Sequence, residues 1–198
     1  VTNVDGTVTR NGDLFLPERH LRRLRASASM IMLGVEWPDG ALTRIIQETI
    51  DAYRTGPGLD RPAGEFYVRL IVTRGIGEMT YDPSKALHPS LVVIVKALPA
   101  TSPETYERGV AVSLVSIVRN HPQSIDPRIK SNNLLNNILA MQEALRRGPA
   151  FEAVMRNHRG ELAECSQSNL FLVKSGEAFT PALDAGLLAG ITREYAAV

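Results

Sequence analysis

The residues able to do chemistry in this 198-residue chain fall into a few short stretches. Lys130 lies in RIKSNNLLNNILA at 128–140, directly ahead of a segment whose apolar spacing predicts a helix over 131–147. An amine at the positive end of a helix dipole is disfavoured as an ammonium and is therefore a candidate nucleophile. Gly190, Ile191 and Thr192 open another predicted helix, where backbone N–H groups and the Thr hydroxyl suit an anion. The stretch ELAECSQSNLFLV at 161–173 holds two carboxylates, Glu161 and Glu164, beside the sole cysteine, Cys165. Cys165 has no base nearby in the chain and reads as a small packed side chain. Arg19, Arg22, Arg23 and Arg25 cluster, but on a helix they spread over more than one face, and their count alone marks no site. His20, His88, His121 and His158 lack metal-ligand spacing, so no metal site is expected.

Composition narrows the classes. Lys plus Arg number 22 against 21 Asp plus Glu, a formal net charge of +1, which argues against a general nucleic-acid binder. One cysteine permits no intrachain disulfide and fits a reducing, cytoplasmic setting. The longest purely aliphatic run, 91–95, is far short of a membrane span of ~20 residues. No signal peptide is visible at Val1. The chain opens without Met in a strand-like segment, so further sequence upstream is expected.

Those residues need elements to position them. Strand 13–16 ends at Pro17, and helices are predicted over 18–33 and 39–53, the second stopped by Gly-Pro-Gly at 56–58. Strands follow at 65–73, where Phe66, Val68, Leu70 and Val72 alternate, and at 91–96. Pro99 and Pro103 mark a linker over 98–104 between two subdomains, 1–97 and 105–198. The second carries strands at 110–118, 151–155, 169–173 and 178–179. Leu134, Leu135, Ile138, Leu139, Met141 and Leu145 form the apolar face of the 131–147 helix, and a last helix begins at Ile191. Mixed elements without regular βαβ alternation predict an α+β fold in two subdomains.

Four pieces, HLRRL with ASA at 20–28, RIKSNNLLNNILA, ELAECSQSNLFLV, and Thr180-Pro181 with GITR at 190–193, occur in the order and rough spacing of the class IV aminotransferases. The set resembles that family over nearly the whole chain. The resemblance implies pyridoxal 5'-phosphate, carried in Schiff-base linkage by Lys130. It further implies Glu164 as partner of the pyridine nitrogen, and Arg23 with Ile191 and Thr192 as the phosphate cradle. Ser168-Asn169 could orient Glu164 or cap a strand. His20 reads as a hydrogen-bonded structural histidine, and Arg22, Arg25 and Glu161 as solvated charges. A homodimer and small amino-acid and 2-oxo-acid substrates are also implied. The family carries more strands before Val1 and a segment after Val198, so both subdomains are expected to be incomplete.

Tyr67 and Arg69 resemble the Tyr-X-Arg strand with which branched-chain aminotransferases hold a substrate carboxylate. The loop after that strand lacks the Arg and His of D-amino-acid transaminases. Leu134 stands where many branched-chain enzymes have a tyrosine and D-amino-acid transaminases have leucine. The expected function is transamination between an apolar L-amino acid, a branched-chain one by preference, and 2-oxoglutarate. D-amino-acid transamination, aminodeoxychorismate lysis and a truncated, non-catalytic cofactor binder are the alternatives.

Overall fold

A computed structural model describes residues 3–56, 64–86 and 88–197. Two compact units are present, one of Val1–Ala100 with Lys130–Asn132, the other of Thr101–Ile129 with Asn133–Val198. Positions 57 and 58 of the predicted Gly-Pro-Gly stop lie outside the described residues.

The first unit contains β1 (Asn3–Arg10), β2 (Asp13–Leu14), α1 (Pro17–Met30), α2 (Asp39–Thr55), β3 (Phe66–Ile76) and β4 (His88–Ala97). Its strands form one antiparallel sheet in the order β2-β1-β3-β4. Alternation along β3 sends Phe66, Val68, Leu70 and Val72 to the face covered by Leu21, Leu24 and Ala28 of α1 and Leu42, Ile46 and Ile50 of α2. Leu24, Leu42 and Ile50 are wholly buried, and truncating such a leucine to alanine costs ~2–5 kcal/mol. Pro17 sits in the first turn of α1, where its missing N–H is harmless. The guanidinium of Arg74 donates to the carbonyls of Ile31 and Met32 just past the other end of α1.

The second unit contains α3 (Pro103–Arg108), β5 (Val112–Val118), α4 (Leu135–Arg147), β6 (Glu152–Arg156), β7 (Leu162–Cys165), β8 (Leu172–Lys174), β9 (Glu177–Phe179) and α5 (Ile191–Ala196). Ser102 caps α3, so the proline-marked stretch is partly helical. β5 and β6 pair in parallel and β6 and β7 antiparallel. Parallel pairing requires a crossover, and α4 lies in it. β8 and β9 make a hairpin turned through Ser175 and Gly176, both at positive φ, 54° and 83°.

Two features of α4 correct the expectations. It begins at Leu135, not Ser131, so Lys130 is not in its first turn and the helix-dipole argument for a deprotonated amine does not apply. Its packed face is Ala140 and Ala144, which lie against Val115, Ala153 and Met155. Leu135, Ile138 and Leu145 are at least half exposed, at 62%, 50% and 55%. Two stripes of helical spacing compete on this segment. The small one wins because alanines let the helix axis approach the strands closely.

Among the described residues, no helix is long and apolar enough to cross a membrane, and no group of three or more His, Cys, Asp or Glu could hold a metal ion.

Candidate active site

In the first unit, the backbone of Lys130 is fixed by a residue distant in sequence. Its N–H donates to Oγ of Ser27 at 3.1 Å, and Ser27 is buried in α1. Two residues on, Oδ1 of Asn132 accepts from Nη2 of Arg69 at 2.5 Å. Lys130–Asn132 is thereby tied to α1 at one end and to β3 at the other. The Nε of Arg69 is buried and has no acceptor. A guanidinium donor in that condition costs free energy unless an anion meets it.

Tyr67 and Arg69 share the face of β3 opposite the helices, since residues two apart point the same way. Tyr67 lies across β1 at Gly6, where a side chain would be tightly placed. A Cβ on Gly6 would come 3.0 Å from the Tyr67 hydroxyl and 3.1 Å from the Val68 carbonyl. Lys96 Nζ stands 5.2 Å from the Tyr67 ring centroid, within cation–π range.

Arg23, on α1, is gripped by Asp5 of β1. Its Nε donates to Oδ2 at 2.9 Å and its Nη2 to Oδ1 at 2.7 Å. His20, one turn earlier, contacts Oδ1 through Nδ1 at 2.9 Å, the structural role its position suggested. Burial alone would raise the Asp5 carboxyl, but the hydrogen bonds and charges of Arg23 and His20 hold it below its ordinary value. Arg25 is not merely solvated. It donates to Asp39 Oδ1 at 2.8 Å and to the Val35 and Trp37 carbonyls at 3.2 and 2.6 Å, fastening the turn between α1 and α2.

In the second unit, Glu164 lies within β7 and is almost fully buried. Arg119, just after β5, donates through Nε to Oε1 of Glu164 at 2.7 Å. Its Nη1 reaches Asn136 Oδ1 at 3.1 Å, and Asn136 donates to the Val118 carbonyl at 2.9 Å. The other carboxylate oxygen of Glu164 accepts from the Leu188 N–H at 3.1 Å and from Asn169 Nδ2 at 3.3 Å. Asn169 therefore orients Glu164, while Ser168 turns to Glu152, donating to Oε1 at 2.9 Å. Glu161, by contrast, is half exposed and paired with Arg159. Burial first, and then Glu152 and Glu164, push the Cys165 thiol up, which leaves it a poor nucleophile.

Gly190 precedes α5, and a Cβ there would lie 1.9 Å from Asn169 Oδ1. A side chain at position 190 would thus displace the same asparagine that holds Glu164. Ile191 is buried and Thr192 exposed in the first turn of α5, whose leading N–H groups lack intrahelical acceptors by geometry. Arg193 donates to Thr180 Oγ1 at 3.2 Å and to the Pro181 carbonyl at 2.8 Å. Those bonds join the two parts of the fourth sequence piece.

Sequence reasoning picked out Arg23, Tyr67, Arg69 and Lys130, which are held in the first unit, and Glu164, Ile191 and Thr192, held in the second. It missed Asp5, Arg119 and Asn132. Each owes its place to a long-range partner, and no local pattern signals it.

Residues 3–197 match the family model for amino-transferase class IV. The chain belongs to this family. Class IV aminotransferases are pyridoxal-phosphate-dependent. The chain is 30% identical over 190 residues to a putative branched-chain-amino-acid aminotransferase of Methanocaldococcus jannaschii, covering 96% of this chain and 62% of that protein. It is 32% identical over 187 residues to a D-alanine aminotransferase of Listeria monocytogenes, covering 93% and 60%. The crystal structure of Escherichia coli branched-chain amino acid aminotransferase superposes with a TM-score of 0.86 at 24% identity, over 98% of this chain and 63% of that one. That likeness establishes the class IV aminotransferase fold, an α+β architecture. The chain spans about three fifths of the length of the curated relatives it matches, 62% and 60% for the two named.

Proposed function

We propose that the protein is a pyridoxal-phosphate-dependent aminotransferase moving the amino group of an apolar, branched-chain L-amino acid to 2-oxoglutarate. The observation that carries the reading is the link from Arg69 to the lysine segment. A guanidinium with a buried, acceptorless Nε is bonded to Asn132, two residues from Lys130. This supports a substrate carboxylate held by Arg69, with Tyr67 beside it, within reach of the lysine segment.

The donor set fits the cofactor chemically. Lys130 supplies an amine for its aldehyde, Glu164 a buried carboxylate for a pyridinium N–H, and Arg23 with Ile191 and Thr192 donors for a phosphate dianion. When bound, pyridoxal phosphate supplies a carbonyl that takes up the amino group and a ring that accepts the electron pair left on the α-carbon. With the cofactor bound, Lys130 Nζ would be the base that takes the proton from the substrate α-carbon and gives it back. Glu164 would hold the pyridine proton, and Arg119, Asn169 and Leu188 keep Glu164 in place.

A D-amino-acid donor is the second reading, favoured by the 32% identity to a D-alanine aminotransferase and by Leu134. The 74–81 loop, RGIGEMTY, has no histidine and no arginine beyond Arg74, which is engaged with the end of α1. Borohydride reduction and peptide mapping should place the cofactor on Lys130; a label on Lys85, Lys96 or Lys174 overturns the assignment. With 2-oxoglutarate as acceptor, L-leucine, L-isoleucine and L-valine should outrun D-alanine and D-glutamate. Faster transfer from the D-donors would select the second reading and leave Lys130 untouched.

A further inference from the structure

Resting on the reading of Arg23 as an arginine of the cofactor's phosphate, we propose that Asp5 is the positioning residue of that contact. It sets the plane of the Arg23 guanidinium without itself meeting the cofactor.

The register of β1 makes Asp5 unusual. It pairs with Leu70 and so faces the helices, on the side where β3 presents only apolar side chains. It is 3% exposed. A carboxylate in such a place is costly unless every lone pair is used, and a packed apolar residue of similar volume would serve stability as well or better. A gain in stability over an apolar residue therefore does not account for Asp5. Orientation does.

Both Asp5 oxygens grip one edge of Arg23 in a fork, Nε to Oδ2 and Nη2 to Oδ1. A two-point grip removes rotation about the last side-chain bonds, which a single bond would leave open. The carboxylate is itself locked, because Oδ1 also meets His20 Nδ1 and accepts from the Gly6 N–H at 2.7 Å. His20 and Arg23 are three residues apart on α1, hence neighbours on one helix face. The negative charge of Asp5 weakens the pull of Arg23 on a dianion, so the arginine's value to a phosphate lies in fixed geometry more than in net charge. Lysine, a point charge on a flexible stem, could not be held this way.

The test compares the affinity of the full chain for pyridoxal phosphate with its affinity for unphosphorylated pyridoxal, by absorbance titration. Both ligands can link to Lys130 through the aldehyde, and the internal hemiacetal that pyridoxal forms with its own 5'-hydroxymethyl group is the same for every variant, so comparing the ratio between variants isolates the phosphate preference. Arg23→Ala and Arg23→Lys should each lower that preference about tenfold to hundredfold. Asp5→Asn should lower it about three- to tenfold while leaving pyridoxal affinity unchanged, and the Asp5→Asn/Arg23→Ala pair should lose no more than Arg23→Ala alone. Asp5→Glu, which keeps the charge but shifts the carboxylate by a methylene, should fall between wild type and Asp5→Asn. A wild-type preference in Asp5→Asn, or in Asp5→Glu should the first variant not fold, overturns the positioning role while the Arg23 reading stands. Equal losses for both ligands would reduce Asp5 to a structural residue. No loss of preference in Arg23→Ala overturns both readings together.

Discussion

Replacing Arg119 by methionine isolates the buried pair that holds Glu164. The two side chains are 9% and 7% exposed, and the Nε–Oε1 distance is 2.7 Å. Methionine preserves apolar bulk, so the packing loss is small. What remains is a buried carboxylate that has lost its guanidinium while still accepting from the Leu188 N–H and the Asn169 amide, and an Asn136 oxygen that has lost the Arg119 donor. Removing one member of a buried pair costs ~3–5 kcal/mol, because the other is left uncompensated. Glu164→Gln alone should cost less, since an amide is cheaper to bury than a charge. In Arg119→Met/Glu164→Gln the unbalanced charge is gone, so the double variant should be more stable than Arg119→Met by about 2 kcal/mol or more. Urea unfolding, followed by two probes to test for a single transition, measures each variant. A loss below about 1 kcal/mol for Arg119→Met, the range of solvated surface pairs, would refute the argument.

Two further outcomes follow from the same geometry. Gly190→Ala should displace Asn169, because the added Cβ has 1.9 Å where van der Waals contact needs far more; turnover should fall severalfold or more, and unchanged turnover would separate Asn169 from the function of Glu164. Asp5, held below its ordinary value in the folded chain, contributes stability that is present above the unfolded carboxyl value of ~3.9 and lost as pH falls through the folded one. The unfolding free energies of wild type and Asp5→Asn should therefore converge below about pH 4, and a gap constant down to pH 2 would contradict the ionised pairing.

Elements with a strong apolar period were legible. The helices expected over 18–33 and 39–53 are Pro17–Met30 and Asp39–Thr55, and the strands expected over 65–73 and 91–96 are Phe66–Ile76 and His88–Ala97. The strand-like opening of the chain is β1, Asn3–Arg10, yet an apolar period could not set its bounds. Its helix-facing positions include Asp5, Thr7 and Thr9, all buried, so the usual alternation of apolar and polar is inverted. β7 is four residues long, too short for any period to stand out. The leucines of α4 marked a helix correctly, yet the sheet took the alanine face.

Lys130, Glu164, Arg23 and the Gly190–Thr192 turn could be picked out because motif order and residue type are properties of the chain alone. What those residues touch is not. Lys130 is pinned by Ser27, 103 positions away, and Glu164 by Arg119, 45 positions away. A charge or hydroxyl acquires such a partner only when folding removes water from both and leaves each no cheaper acceptor or donor. Local composition carries no record of that choice. The tertiary structure alone decided that an aspartate on a strand would hold the arginine, and that the lysine would be packed with the unit that precedes it in sequence.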